Sequence, residues 1–311
     1  MKISKFGGSS VASARAIENI IKLAEDNNRK ILVFSAIGAS QKGDKKVTDL
    51  LLEAYDNFLA NHNLDLSKVE EKFAGLKEML GIKLDGKREL DEVKRKFLSA
   101  LSRDYLVSRG EDLTARMFAE KLNLPYIPSE TLLFFDGKEV DYNRTETAIK
   151  KQLALTERFV TGGFYGSDEK GQIKLLSRGG GDLSGAILAK VAKAKEYEIF
   201  TDVDGIYQIN PILGKSSTLK TLSYADLNFM TSLDAKVVHS ECGKVLKNTR
   251  TKIIVRNCFD LTAPGTEIAK GNKADKSYIS FSPQTGDMFL TKLGKRRKIS
   301  AYERENAINL L

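Results

Sequence analysis

Histidine and cysteine are nearly missing from this 311-residue chain, and each scarcity removes a class of chemistry. The two histidines, His62 and His239, give poor support to a histidine-ligated zinc site or a Ser-His-Asp triad. The two cysteines, Cys242 and Cys258, stand too far apart for a Cys-x-x-Cys site and fit a reducing compartment. No apolar run approaches membrane-spanning length, and no basic segment leads into an apolar stretch at the N-terminus. The expectation is a cytoplasmic protein with no membrane partner. Internal repeats and low-complexity linkers are lacking too, which leaves one large α/β domain or two smaller ones.

Positive charge, by contrast, is in excess: the net charge is +9 at neutral pH. Lysine and arginine are interleaved with aspartate and glutamate through most helical stretches, the pattern of a solvated amphipathic surface. The densest block, Lys295-Arg296-Arg297-Lys298, has no recognition-helix or single-strand-binding pattern around it. Nucleic acid is therefore not expected as a partner. A site for phosphate anions would use part of the excess.

Two glycine-rich turns carry the chemistry. The run Lys5-Phe6-Gly7-Gly8-Ser9-Ser10 follows a short strand and leads into a helical pattern from about Val11. Glycines let a backbone approach a phosphate closely, and N–H groups at a helix start point at the anion. Lys5 adds a point charge there; a plain chain reversal is the competing reading. The second cluster, Ser177-Arg178-Gly179-Gly180-Gly181-Asp182, repeats the arrangement between strand-like Ile173–Leu176 and helical Ala186–Ala192. Its arginine offers a planar fork for a carboxylate or phosphate, and its aspartate can orient a lysine. Gly214-Lys215-Ser216 mimics the end of a phosphate loop, but Ile209 stands where the first glycine is required.

Strand candidates alternate with helices along the chain. Residues 31–35, 124–127, 158–161, 196–200 and 253–256 have strand character, and a helix begins near Thr48. Residues 66–119 are mostly helical. This order predicts an α/β fold with a largely parallel sheet covered on both faces, binding ligands beyond the carboxyl ends of its strands. After about Gly271 the pattern changes to that of a hairpin around Pro283-Gln284-Thr285-Gly286.

The chain resembles the aspartate kinases of the amino-acid kinase family from Lys2 to about Thr266. The resemblance is carried by the two glycine motifs together with Lys46-Val47-Thr48-Asp49, Ser108-Arg109-Gly110-Glu111, Gly163-Phe164-Tyr165-Gly166, Thr201-Asp202-Val203-Asp204-Gly205-Ile206-Tyr207 and Ala235-Lys236-Val237-Val238-His239. It implies a three-layer α/β/α fold with a catalytic domain over 1–270. The acceptor would bind about 1–195, the nucleotide about 196–270, and 271–311 would be a short tail without the ACT regulatory domains. It implies transfer of the ATP γ-phosphoryl group to the β-carboxylate of L-aspartate, the first step toward diaminopimelate, lysine, threonine and methionine. Magnesium would be held mainly through ATP. By the same resemblance Lys5, Gly7, Gly8 and Ser9 hold the reacting phosphate, and Asp182 orients Lys5. Arg178 clamps the α-carboxylate of aspartate, Glu111 takes its ammonium, Ser35 and Thr48 lie near it, and Phe164 closes over it. Thr201, Asp202, Tyr207 and Lys236 match the nucleotide side. Apart from the resemblance, Thr48 and Asp49 read equally as helix-capping residues, Glu111 as a first-turn helix carboxylate, Lys236 as surface, and His239 as structural.

Three departures from the family pattern stand out. Gly181 replaces a serine hydroxyl that would assist the substrate carboxylate. Asn210-Pro211-Ile212 replaces Asp-Pro-Arg and removes a phosphate-contacting arginine. The short tail predicts no ACT-mediated feedback, and leaves open a homodimer formed through the catalytic surface. The alternatives are another amino-acid kinase with a different carboxylate or carbamate acceptor, or a non-catalytic ligand-binding regulator.

Overall fold

The computed structural model describes every residue except 42, 178, 212, 234–236, 293, 301–302 and 310–311. The chain starts in β1 (Lys2–Phe6), turns through α1 (Gly8–Val11) and α2 (Ala14–Ala24), and returns in β2 (Arg29–Phe34). Four helices follow: α3 (Val47–Asn61), α4 (Ser67–Leu80), α5 (Gly86–Ala100) and α6 (Arg103–Leu122). A small hairpin, β3 (Phe135–Asp136) and β4 (Glu139–Val140), precedes α7 (Tyr142–Thr156) and β5 (Phe159–Gly162). A second hairpin, β6 (Tyr165–Ser167) and β7 (Ile173–Leu175), delivers the chain to α8 (Gly180–Val191) and β8 (Glu196–Thr201). Then come β9 (Thr221–Leu222), α9 (Tyr224–Ser232), α10 (Ser240–Leu246), β10 (Lys252–Asn257) and β11 (Thr266–Ile268). The tail forms β12 (Tyr278–Phe281), β13 (Met288–Lys292), β14 (Lys295–Lys298) and α11 (Arg304–Asn309).

Seven strands make the central sheet in the order β5-β2-β1-β8-β10-β11-β9, and only the β10–β11 pairing is antiparallel. Its inner strands are buried on both faces, as parallel strands are. Phe6, Leu32, Phe34, Val160 and Phe200 pack under α2 through α6; Ile3, Val33, Tyr197, Ile199 and Val255 pack under α8, α9 and α10. This is the expected three-layer α/β/α arrangement. Among the described residues no helix is long and apolar enough to cross a membrane.

Topology decides where a crevice opens. From β1 the chain moves to one side through β2 and β5, and from β8 to the other through β10. The switch point lies between β1 and β8, where open α/β sheets bind ligands. The floor there is rigid: Phe6 stacks on Phe34 and on Phe200 with ring centroids 5.1 Å apart, and Phe34 on Phe118 at 4.3 Å. Deeper in the same face, Arg29 pairs with Glu198 at 2.7 Å, and Ser4 donates to the same carboxylate at 2.6 Å. Each partner compensates a charge that burial alone would make costly.

Two expectations are corrected, at residues 124–127 and at Val11, and two further segments find their place only in the fold. Residues 124–127 form only an isolated bridge, Tyr126 with Val160, because Pro125 has no N–H to extend the ladder. The strand at Ile173 pairs with β6 in a separate hairpin, outside the central sheet. The helical pattern expected from Val11 already begins at Gly8 and is broken before Ala14. The basic block Lys295–Lys298 is the edge strand β14. Its Arg296 pairs with Asp226, Arg297 with Glu303 and Lys298 with Asp287, so much of that charge is answered within the chain.

Candidate active site

A cavity of about 510 Å³ opens at the switch point. From the end of β1 it receives Lys5, Gly7, Gly8 and Ser9; from the loop after β2, Ser35, Ala36, Gly38 and Ala39. Lys46, Thr48 and Asp49 enter from the start of α3, and Glu111 from α6. Phe164, Gly179, Gly180, Gly181 and Asp182 close the opposite side, while Thr201 and Asp202 come from the end of β8. The sequence-predicted residues Lys5, Gly7, Gly8, Ser9, Ser35, Thr48, Glu111, Phe164, Asp182, Thr201 and Asp202 thus share one cavity. Arg178 and Lys236, and the departure at Ile212, lie outside the described residues.

The two strand-ending loops meet backbone to backbone. The Gly38 N–H donates to the Gly8 carbonyl at 2.9 Å. A Cβ on Gly8 would lie 2.9 Å from the Ala36 carbonyl oxygen, and one on Gly38 2.5 Å from Gly8 itself, so no side chain fits at either position. This contact holds the first turn of α1 at the crevice, where helix-start N–H groups lie outside the intrahelical ladder. Farther out, the loop is strapped to α4: Asp44 pairs with Lys72 and accepts from the Ser40 N–H at 2.7 Å. The Lys72 hydrogen bond, helped by that of Ser40, holds the Asp44 carboxyl down at about 2.

Lys5 projects into the cavity and pairs with Asp182 at 2.7 Å. Asp182 is itself fixed, since the His239 N–H donates to its other oxygen at 3.2 Å and Tyr197 donates to its carbonyl at 2.8 Å. His239 takes the structural role expected of it, between Asp182 and the glycine loop. Its Nδ1 accepts from the Glu241 N–H at 3.2 Å, which leaves the proton of a neutral ring on Nε2, 3.0 Å from the Ser177 hydroxyl of the glycine loop. That loop turns through Gly179 at φ +84, which glycine adopts without strain. Phe164 also has a left-handed backbone, φ 75. Its N–H donates to Ser184 Oγ at 2.7 Å and its carbonyl accepts from Leu176 at 2.8 Å, so the surrounding hydrogen bonds hold this strained residue over the cavity.

Glu111 is the exceptional group. It lies in the middle of α6 rather than in a first turn, so the dipole reading of this carboxylate does not hold. It is 5% exposed, and its Oε2 meets no hydrogen-bond partner among the described residues. Burial pushes its carboxyl up to about 8, against smaller opposing effects of backbone hydrogen bonds and of Lys5 and Arg109. The capping reading of Thr48 also fails, because the N-cap position of α3 is Lys46, whose side chain makes no cap bond.

A second cavity, about 500 Å³, adjoins the first along Thr201, Asp202 and Val237. Tyr207 lies here, with Asn210 and Pro211, outside the first cavity but sharing this one with the predicted Thr201 and Asp202. Its far wall comes from the tail: Ile279, Ser280, Phe281 and Pro283. Nothing in the local sequence of the tail signals this role, because the contact is made across the fold.

The model of the amino acid kinase family matches residues 1–257. Aspartokinase 3 of Bacillus subtilis is 26% identical over 324 residues, covering 96% of this chain and 71% of that protein. An aspartokinase of Chlamydia muridarum is 26% identical over 282 residues, covering 86% of this chain and 63% of its own length. Among solved structures, aspartate kinase of Clostridium acetobutylicum superposes with a TM-score of 0.79 at 30% identity, over 87% of this chain and 62% of the other. E. coli aspartokinase III, solved with aspartate and ADP, superposes at 0.73 with 23% identity and shares the fold. The chain spans under two thirds of the Chlamydia and Clostridium proteins. With that match running through both glycine loops and the sheet between them, the chain belongs to the amino acid kinase family.

Proposed function

We propose that the chain transfers the γ-phosphoryl group of ATP to the β-carboxylate of L-aspartate, giving 4-phospho-L-aspartate, the reaction that names its relatives. The observation that carries the acceptor is Glu111: a buried carboxylate with an unpartnered oxygen, in the same cavity as Lys5, suits a ligand that is itself an ammonium ion. A carbamate has no such cation. The acceptor half of the site is built by residues up to about 195 and the nucleotide half by those from about 196.

The reaction needs no general base, because the aspartate carboxylate is ionised at neutral pH. A carboxylate oxygen attacks phosphorus, the bond from phosphorus to the β,γ-bridging oxygen breaks, and ADP leaves with that electron pair. The obstacle is the approach of two anions. Lys5 and the N–H groups at the start of α1 supply positive potential where the γ-phosphoryl oxygens pass, and Asp182 keeps the Lys5 ammonium aimed there. Phe164 and Ser35 border the acceptor, and Arg178 is assigned its α-carboxylate. Thr201, Asp202, Tyr207 and Lys236 are assigned to the nucleotide. Magnesium enters as MgATP, held by phosphate oxygens and water.

ADP release with MgATP and L-aspartate, with hydroxylamine trapping the acyl phosphate, tests the assignment. Hydroxamate is expected with L-aspartate and not with D-aspartate, L-glutamate or N-acetyl-L-glutamate. ATP binding without hydroxamate from L-aspartate would sink the acceptor and favour a regulator of the same fold.

Gly181 leads to a second expected result. A Cβ at this position would lie 3.0 Å from Ser35 Oγ and 3.3 Å from Lys5 Cε. Lys5 is held by Asp182, so a serine here crowds both neighbours. Gly181→Ser is expected to raise the KM for aspartate about threefold to tenfold, the scale of a modest misplacement at a site. Adding Ser35→Ala should relieve it. Unchanged kinetics in Gly181→Ser alone would show that Ser35 yields freely and that the crowding argument is wrong.

A further inference from the structure

The wall of the second cavity lies beyond the family match, which stops at residue 257, whereas β12 begins at Tyr278. That wall is fixed on two sides. The Ile279 N–H donates to the Gln208 carbonyl at 2.6 Å, next to Tyr207, and Gln208 Nε2 donates to the Ser277 carbonyl at 2.8 Å. Tyr278 is fully buried in the core under α9, and its hydroxyl donates to Asp226 at 2.8 Å. Ile279 packs against Ile209, Met288 and Ile299. The tail strand is therefore built into the body that carries the nucleotide-side residues.

One group on this wall lacks a partner. Ser280 is 5% exposed, lines the cavity, and its hydroxyl has no hydrogen-bond partner among the described residues. A buried hydroxyl left in that condition costs free energy until a ligand meets it. Around it the lining is largely apolar, with Val203, Ile206, Met230 and Phe281 facing the same space. A largely apolar pocket with a few placed polar groups is how proteins hold and orient a small organic ligand, and an aromatic base with polar edges suits it.

We infer that Ser280 hydrogen-bonds the edge of the adenine base, so that the tail strand β12 contributes to the choice of nucleotide. The inference rests on the proposal that ATP is the donor. A serine hydroxyl both donates and accepts, and an adenine edge presents a ring-nitrogen acceptor beside an amino donor. The contact persists from bound substrate to transition state, so its loss should change binding of ATP and leave turnover alone.

The test uses the full chain and the variants Ser280→Ala, Ser280→Val and Ser280→Thr, with ATP titrated directly in the absence of acceptor. Ala and Val are expected to weaken ATP about threefold to tenfold, the range of one hydrogen bond between neutral groups. Thr, which keeps the hydroxyl in the same shape as Val, should retain wild-type affinity. In the coupled assay kcat and the aspartate KM should stay at wild-type values, and the alanine variant without nucleotide should melt at or above the wild-type temperature, since it loses an unpaired buried hydroxyl. An alanine variant that binds ATP as well as wild type would overturn the inference, and so would Thr and Val weakened alike. Because the titration needs no acceptor, wild-type protein that binds ATP and ignores L-aspartate overturns the acceptor assignment alone. Wild-type protein that binds no ATP overturns both.

Discussion

Glu111→Gln is expected to make the protein more stable and, in the same step, poor at capturing its acceptor. The carboxyl titrates at about 8 because it is buried, against an ordinary value of 4.5. The folded state therefore holds this proton more tightly than the unfolded chain does. As pH rises from about 4.5 to about 8 the unfolded state loses the proton first, so stability falls across that window and levels off above it. Each unit of the shift corresponds to about 1.4 kcal/mol, so removing the charge should gain a few kcal/mol at pH 8, on the order of 2–5. Glutamine keeps the size and cannot ionise. Melting curves of both proteins from pH 5 to 9 should diverge on the alkaline side and converge on the acid side. Acceptor binding moves the other way. Glutamine gives up the charged hydrogen bond to the ammonium of aspartate, and the KM for aspartate should rise about tenfold to a hundredfold. In the wild-type protein that KM should fall as pH rises toward 8, since the ionised form receives the cation. A glutamine variant with an ordinary aspartate KM would reduce Glu111 to a buried acid without a ligand.

The residues that announced themselves in the sequence act locally. Gly7 and Gly8 after a strand, and three glycines after Arg178, signal close backbone approach whatever the rest of the chain does, and both loops line the cavity. The alternation of strands and helices likewise predicted the layers and the largely parallel sheet. Properties that depend on distant partners were not legible. Glu111 looks like any helical carboxylate until α6 is seen buried along most of its length. The strand at Ile173 has the same apolar pattern whether it joins the main sheet or pairs with β6. The run Lys295–Lys298 reads only as a dense basic block, because Asp226, Glu303 and Asp287, which answer much of its charge, are assembled only by the fold. His239 and Ser280 belong to the same class: each gains its meaning from a loop or cavity that the sequence alone does not bring near it.

Lys5→Met should abolish most turnover while leaving the fold and the aspartate KM largely intact. The lysine lies at the end of a buried central strand, with only its side chain in the cavity, so methionine can follow the same path without disturbing β1. What it removes is the ammonium that faces charge accumulating on the transferred phosphoryl oxygens. One preorganised donor of this kind is worth about a hundredfold to a thousandfold in kcat. Arginine should rescue poorly, because its fork is larger than a point charge and Asp182 at 2.7 Å is set for an ammonium. Asp182 gives the decisive comparison. If it acts only by aiming Lys5, Asp182→Asn should cost about tenfold to a hundredfold in the intact protein and nothing further in Lys5→Met, the non-additivity expected of residues that work as one unit. Independent, multiplying losses would mean that Asp182 has a second task, such as ordering water on the metal of MgATP. Full activity in Lys5→Met would remove the strand-end lysine from the mechanism and leave the helix start of α1 as the main source of positive potential.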